Sequence, residues 1–104
     1  MAGKNHYILD ENGQPQVTED ISAWCTWIKR DNRRVAFSHV GSVEVSTVFL
    51  AIDHNFHGNG EPILWETCVF GAPDGTDHMR RYSSLNEAQE GHAEVVEEIK
   101  ALAN

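Results

Sequence analysis

The sequence predicts a single α+β domain in which a four-stranded antiparallel meander packs against two helices. Helical periodicity occurs near each end of the chain, at about 20–33 and about 84–102. Between these two patterns lie short β-type segments separated by turn residues. A chain of 104 residues has room for one hydrophobic core, so residues 1–104 are expected to form one domain.

The N-terminal part combines a short apolar patch with the first helical pattern. Tyr7–Leu9 runs into the turn-forming residues Asp10–Gly13, which leaves open a fifth, short strand in addition to the meander. The polar residues at 18–20 offer N-cap chemistry for a helix. Apolar residues then recur at i, i+3, i+4 and i+7, which predicts an amphipathic helix over 20–33; they are Ile21, Trp24, Cys25 and Ile28.

Four β-type segments follow in the order Val35–Val40, Val43–Ile52, Ile63–Phe70 and His78–Tyr82. Gly41 suits the tight turn of a hairpin between the first two segments. The second segment ends in a run that is apolar on both faces, which predicts that this end of the strand is covered on both sides. The arginines of the last segment suit an exposed edge strand.

The C-terminal helix, predicted over 84–102, has the clearest signature. Ser84 and Glu87 match a capping box. Core-type residues then recur at spacings of 3, 4, 3, 4 and 3, and form one seam of Leu85, Ala88, His92, Val95, Ile99 and Leu102. We therefore expect His92 to face the sheet. Gly91 in the middle of a helix predicts that a backbone or a bulky side chain approaches closely there.

Composition and charge exclude several classes of protein. Acidic residues outnumber basic ones by 16 to 8, and the net charge of −8 argues against direct nucleic-acid binding. No apolar run is long enough to cross a bilayer, so no membrane association is expected. Neither a secretion signal nor a metal-type cysteine spacing is visible, and Cys25 and Cys68 are expected to be reduced, buried thiols in a cytoplasmic protein.

Polar residues near the second and third strands are the best candidates for chemistry. Asp53 and His54 follow the most apolar strand, where a rigid scaffold passes into a loop. Glu66 lies between apolar neighbours on both strand faces, so its carboxylate must find donors or a charge partner. We expect Asp53, His54, Glu66 and His92 to converge between the sheet and the C-terminal helix.

Such a polar cluster has two interpretations. In one, it holds a divalent metal or supports hydrolysis. In the other, Asp53 binds local backbone, Glu66 is paired, and His92 is a neutral core residue. The spacing matches no metal, nucleotide or nucleophile motif, so neither a cofactor nor catalysis is expected.

The charged residues are segregated along the chain. Residues 29–34 contain four basic residues and one acidic residue, whereas residues 83–104 contain five glutamates and one lysine. Trp27, at the margin of the first helix, is a candidate interface anchor. The predicted interaction surface consists of Trp27, Arg30, Arg33, Arg34, Glu90, Glu94, Glu97 and Glu98. The competing interpretation is an ordinary solvated surface.

Several short stretches resemble small uncharacterised proteins encoded in bacteriophages and prophages. These stretches are Val43–Leu50, Asp53–Phe56, Glu66–Gly71, Arg81–Ser83, Glu87–Ala88 and Gly91–His92. The resemblance spans roughly residues 35–95. That family has no assigned activity, so the resemblance implies only a setting, the cytoplasm of a bacterial host.

The sequence therefore favours a small, non-enzymatic accessory protein that binds a host or phage macromolecule, in the first place a protein. One alternative is a metal-binding or hydrolytic domain built on Asp53, His54, Glu66 and His92. A second is an acidic nucleic-acid mimic that inhibits a DNA-binding host protein. The sequence leaves a homodimer open.

Overall fold

The computed structural model describes residues 5–30, 33–55, 60–72 and 78–103, except for the side chains of Arg30, His78 and Ala103. It confirms the predicted α+β class and the antiparallel meander. The elements, in chain order, are β1 (His6–Leu9), β2 (Pro15–Thr18), α1 (Ile21–Arg30), β3 (Arg34–Val40), β4 (Val43–Phe49), β5 (Trp65–Phe70), β6 (His78–Tyr82) and α2 (Leu85–Ala103). No helix in these ranges is long and apolar enough to span a membrane.

The main sheet has the strand order β3-β4-β5-β6, and every neighbouring pair is antiparallel. Gly41 opens the turn between β3 and β4 with a φ of 61°, a conformation that glycine adopts without a steric penalty. Along β4, buried and half-buried residues alternate strictly. This alternation shows that one face of the sheet is covered more completely than the other.

The N-terminal strand is real, but it does not extend the main sheet. It pairs with β2 in a separate two-stranded hairpin. An isolated bridge between His6 and Ile52 and a hydrogen bond from the Tyr7 amide to the Ala51 carbonyl, at 2.8 Å, join this hairpin to the rest of the protein. The sequence analysis missed β2 because its four residues are largely polar and its one large apolar residue, Val17, is exposed.

The largest differences from the predicted element ends are at the C-terminal ends of α1 and β4. Helix α1 spans Ile21–Arg30 and β3 begins at Arg34, so the predicted helix end at 33 is wrong, while residues 31 and 32 lie outside the described ranges. Strand β4 ends at Phe49 rather than Ile52, since Ala51 takes a φ of 67° that turns the chain out of the strand. Asp20 caps α1, where its carboxylate accepts a hydrogen bond from the Ala23 amide at 3.0 Å.

Both helices pack on the same face of the main sheet. The seam of α2 buries Ala88, His92, Val95 and Ile99. Helix α1 reaches the end of the same face through Trp27, whose ring lies edge-on against Phe49 with 5.8 Å between centroids.

Because both helices use one face, the expectation that the end of β4 is covered on both sides is wrong. Val48 is only half-buried, although Phe49 beside it is fully buried. Leu50 is likewise half-buried. The apolar run therefore marks the place where the strand ends and the chain turns.

The expected close approach at Gly91 is confirmed. A Cβ atom at this position would lie 2.3 Å from the Tyr82 ring of β6, far inside the distance of any normal contact. The helix and the sheet can approach this closely only because position 91 has no side chain.

Candidate functional site

Asp53 is a structural residue of the loop that follows β4. One oxygen of its carboxylate accepts hydrogen bonds from the Asn55 amide at 2.8 Å and the Ile63 amide at 2.9 Å. The Ile63 carbonyl in turn accepts a hydrogen bond from the His54 amide at 2.9 Å. These bonds tie the start of the loop to its end, as short acidic side chains commonly do.

His54 and Glu66 are close enough for their charges to interact. The Glu66 carboxylate accepts hydrogen bonds from Arg81 Nε at 2.8 Å and from Cys68 Sγ at 3.1 Å. Burial by itself would raise the pKa of Glu66, but these two bonds and the charges of Arg81 and His54 outweigh it and lower the pKa below its ordinary value. Glu66 is therefore an ionised, paired carboxylate, and its expected partial burial is confirmed, with 14% of the side chain exposed.

His92 faces the sheet, as its position in the α2 seam predicts. Its Nδ1 lies 2.7 Å from Thr47 Oγ1 of β4, and its Nε2 lies 2.9 Å from Ser38 Oγ of β3. A neutral imidazole satisfies this pair, since one ring nitrogen donates and the other accepts. Burial lowers the pKa of His92, which favours the neutral form.

The hydroxyls around His92 form a buried hydrogen-bond network that the sequence analysis did not identify. Thr47 bonds Thr67 of β5, and the Tyr82 hydroxyl donates to Thr67 Oγ1 at 3.0 Å. The available signal was one threonine in each of the two central strands, Thr47 in β4 and Thr67 in β5, which are directly paired in the sheet. The network connects both central strands and β6 to the helix, so it acts as a polar support within the core.

The predicted convergence of Asp53, His54, Glu66 and His92 is wrong. Consecutive residues of a strand point to opposite faces, and Thr67 belongs to the network around His92. Glu66 must therefore point to the face away from α2. Within the described ranges, no three His, Cys, Asp or Glu residues lie close enough to hold a metal ion, and His57 lies outside those ranges.

Of the predicted basic residues, the structure describes the side chains of Arg33 and Arg34, which make different contacts. The guanidinium of Arg33 donates to the carbonyl oxygens of Phe49 and Leu50, each at 3.4 Å, and so fixes the end of β4. Arg34 stacks over the Phe37 ring at 4.3 Å, and the side chain of Arg30 is not described.

Trp27 is half-buried against Phe49 and serves mainly as a core residue. It also borders a shallow depression of about 450 Å³ between α1 and the N-terminal hairpin.

The acidic residues of the predicted surface, Glu90, Glu94, Glu97 and Glu98, lie together on α2, and Glu87, which was not part of that prediction, extends them by one turn. Glu87, Glu90, Glu94 and Glu97 follow spacings of 3, 4 and 3, so they form a stripe along one side of α2, with Glu98 beside it. All five are exposed. At 1.5 Å of rise per residue, the stripe is about 15 Å long. Arg80 bonds Glu94 at 2.9 Å and Lys100 bonds Glu97 at 3.2 Å, two exposed ion pairs at which the negative charge is locally offset.

The face of the main sheet opposite the helices is a second surface, which the sequence analysis did not identify. It carries Phe37, Phe70 and Met79, whose exposed fractions are 36%, 56% and 58%. Phe70 shares its strand face with Glu66, so the alternation of β5 was the available signal. It was missed because a strand pattern does not tell which face a helix will cover.

Comparison with known proteins returns no family for this chain. No protein-family model, no curated protein and no solved structure matches it. The resemblance to bacteriophage proteins therefore stays a prediction.

Proposed function

We propose that this protein is a small, non-catalytic accessory protein, and that the acidic stripe of α2 binds a partner protein through a basic surface. The observation that carries the proposal is the continuous row of exposed glutamates on a 19-residue helix. The resemblance to small bacteriophage proteins supports a phage origin and a partner, of host or phage origin, in the bacterial cytoplasm.

The helix is a suitable platform because its opposite side is firmly held. Val95 and Ile99 are almost fully buried against the sheet. At the N-terminus, the Ser84 hydroxyl accepts a hydrogen bond from the Glu87 amide and donates one to the Glu87 carboxylate, each at 3.1 Å. Because the helix backbone is already ordered, binding has to order only the glutamate side chains, which lowers the entropic cost of association.

Electrostatic complementarity mainly raises the association rate and selects the partner. The net charge of −8 attracts a basic protein over a distance of about one Debye length, roughly 8 Å at physiological ionic strength. The proposal therefore implies that binding weakens strongly as salt is raised.

The polar residues that were candidates for catalysis support a non-catalytic function. Asp53 and Glu66 each accept hydrogen bonds that hold the fold, and His92 is enclosed between Ser38 and Thr47. These groups stabilise local structure and are not assembled around a common position for a substrate.

A capture experiment with charge-reversed variants tests the proposal. Glu90→Lys/Glu98→Lys reverses two charges at the stripe, and Glu11→Lys/Glu19→Lys makes the same change in net charge at exposed positions outside α2. Each protein is immobilised, exposed to bacterial lysate, and washed at low and high salt. Captured proteins are identified by mass spectrometry, purified, and measured again for binding.

We expect a basic protein that binds wild type and the Glu11/Glu19 control at low salt, with an association rate at least tenfold lower for the Glu90/Glu98 variant. Capture of the same proteins by all three would contradict the proposal. Displacement of a captured DNA-binding protein by duplex DNA would instead support the acidic-mimic alternative.

A further inference from the structure

We propose that the open face of the main sheet binds a second copy of this chain, in a symmetric dimer whose two-fold axis lies in the interface and runs across the strands. This inference goes beyond the proposed function, since it uses the face of the sheet opposite α2. It rests on exposed apolar side chains and on how charge is distributed over that face.

The face is organised in three rows that run across the strands. The first row is Arg34, Val48, Glu66 and Arg81; the middle row is Phe37, Ser46, Cys68 and Met79; the last row is His39, Glu44 and Phe70. Successive rows are two residues apart along β4 and β5, so the first and last rows are separated by about 14 Å.

Formal charge is distributed unequally among the rows. The first row has two arginines and one glutamate, a net charge of +1. The middle row has no charged residue, and the last row has Glu44 with His39. With neutral histidine, the residues of the three rows together carry no net charge, in a chain whose net charge is −8. Contact through these rows therefore adds less charge repulsion between two copies than contact through the acidic stripe of α2 would.

Two symmetric ways of stacking the face on itself have different electrostatic consequences. An axis parallel to the strands would place the first row of one copy on the first row of the other, with Arg34 near Arg81 of the second copy. An axis that follows the middle row instead places the first row over the last row and each strand over its own copy. Arg34 then lies over His39 of the second copy, next to Glu44 on the neighbouring strand. Because like charges across an interface are costly, charge favours the second arrangement.

The second arrangement also brings the apolar residues together at the centre. The middle row, which contains Phe37 and Met79, lies on its own symmetry mate, while Phe70 covers the first row of the second copy. Exposed apolar groups on both sides are then removed from water, which is the main driving force for association. An interface between like surfaces of this kind is the usual form of a two-fold dimer.

The area of the open face limits the affinity expected for the dimer. Four strands at a spacing of about 4.8 Å and three rows at about 6.8 Å cover roughly 400 Å² on each copy. Twice this area lies below the range of standard stable interfaces and in the range of weak, reversible ones. We therefore expect a monomer–dimer equilibrium with a dissociation constant in the micromolar range or above.

Sedimentation equilibrium between about 5 µM and 1 mM tests the dimer. Wild type is expected to shift from the monomer mass of 11.7 kDa towards twice that value. Phe70→Asp and Met79→Asp each place a charge in the apolar part of the face and are expected to raise the dissociation constant at least tenfold. Val17→Asp is the matched control, since Val17 is exposed to 54% against 56% for Phe70 but lies on β2; it should leave the equilibrium unchanged.

A charge exchange tests the axis. Arg34→Glu and Glu44→Arg are each expected to weaken the dimer, and the double variant to recover it, because the two ends meet across the interface. A mass of one chain throughout the concentration range would overturn the inference. So would a dimer whose dissociation constant changes in neither Phe70→Asp nor Met79→Asp. The proposed arrangement would be overturned if the single charge variants dimerise with the same dissociation constant as wild type, or if the double variant does not recover it.

The dimer and the proposed function fail separately. If wild type is monomeric and Glu90→Lys/Glu98→Lys no longer captures the partner, the proposed function stands and the dimer is refuted.

In the dimer, the two α2 helices lie on the outer sides, so two acidic stripes are presented at once and a multivalent partner would bind with increased avidity.

Discussion

Replacing Gly91 by alanine tests how closely α2 lies on the sheet. A Cβ at position 91 would stand 2.3 Å from Cε1 and the hydroxyl oxygen of Tyr82, whereas ordinary contacts begin at 3.4 Å. The ring must therefore move by about 1 Å. It is only 8% exposed, and its hydroxyl donates to Thr67, so the movement disturbs the buried network.

Three contributions determine how Gly91→Ala changes the free energy of unfolding. Forcing a methyl group into a packed core costs about 1–3 kcal/mol, and weakening the bond from Tyr82 to Thr67 costs about 1 kcal/mol more. Alanine in a helix recovers about 1 kcal/mol relative to glycine. The net expectation is a loss of about 2 kcal/mol in the free energy of unfolding, which lowers the Tm by roughly 8–16 °C.

Urea and thermal denaturation followed by circular dichroism measure this loss. Ala93→Gly, at an exposed position of the same helix, isolates the propensity effect and should cost about 1 kcal/mol. In a Tyr82→Leu background the obstructing ring is gone, so Gly91→Ala should become neutral or stabilising. The close approach of Tyr82 is refuted if Gly91→Ala stabilises the otherwise wild-type protein.

Three further predictions concern titratable and capping groups. Because the pKa of His92 is lowered by folding, the unfolded chain binds a proton on this histidine at a higher pH than the folded chain does. The stability that neutral His92 contributes is fully present above about pH 6.5 and is lost as pH falls towards the pKa of the folded state. The urea midpoint should therefore fall with pH in this range in wild type, and less so in His92→Gln. Wild type should lose further stability below about pH 4.5, because the pKa of Glu66 is lowered in the folded state, and Glu66→Gln should remove this loss. The same substitution should cost about 1 kcal/mol at pH 7, since it removes the ion pair with Arg81. The same loss of stability at acid pH in both proteins would contradict the pairing. Ser84→Ala should destabilise the protein by about 1 kcal/mol in the same assay, while Ser84→Asp, which keeps a capping oxygen, should cost far less.

Sequence patterns predicted the elements whose signals are local. The seam of α2 follows a helical period over five turns, and it is buried from Ala88 to Ile99, whereas Leu102 at its C-terminal end is 49% exposed. The capping box at Ser84 and the space required at Gly91 are similarly local, and both appear as expected.

The candidate site depended on information that local patterns do not contain. Which face of β5 a helix covers is decided by the connections between elements, and this choice placed Glu66 and His92 on opposite sides of the sheet. The apolar run from 48 to 52 predicts a strand covered on both faces. Instead, β4 ends at Phe49, both helices lie on one face of the sheet, and Ala51 turns the chain away. The open face of the sheet is the other consequence of that arrangement.

Site-specific photo-crosslinking tests the central claim, binding of a basic protein partner at the acidic stripe of α2, most directly. A photoreactive amino acid replaces Glu90 in one protein and Glu11 in another, both exposed positions, and each is irradiated in bacterial lysate. Position 90 should yield one covalent adduct, with a basic protein and only at low salt, while position 11 yields none. Equal adducts at both positions, or none at position 90, would contradict it.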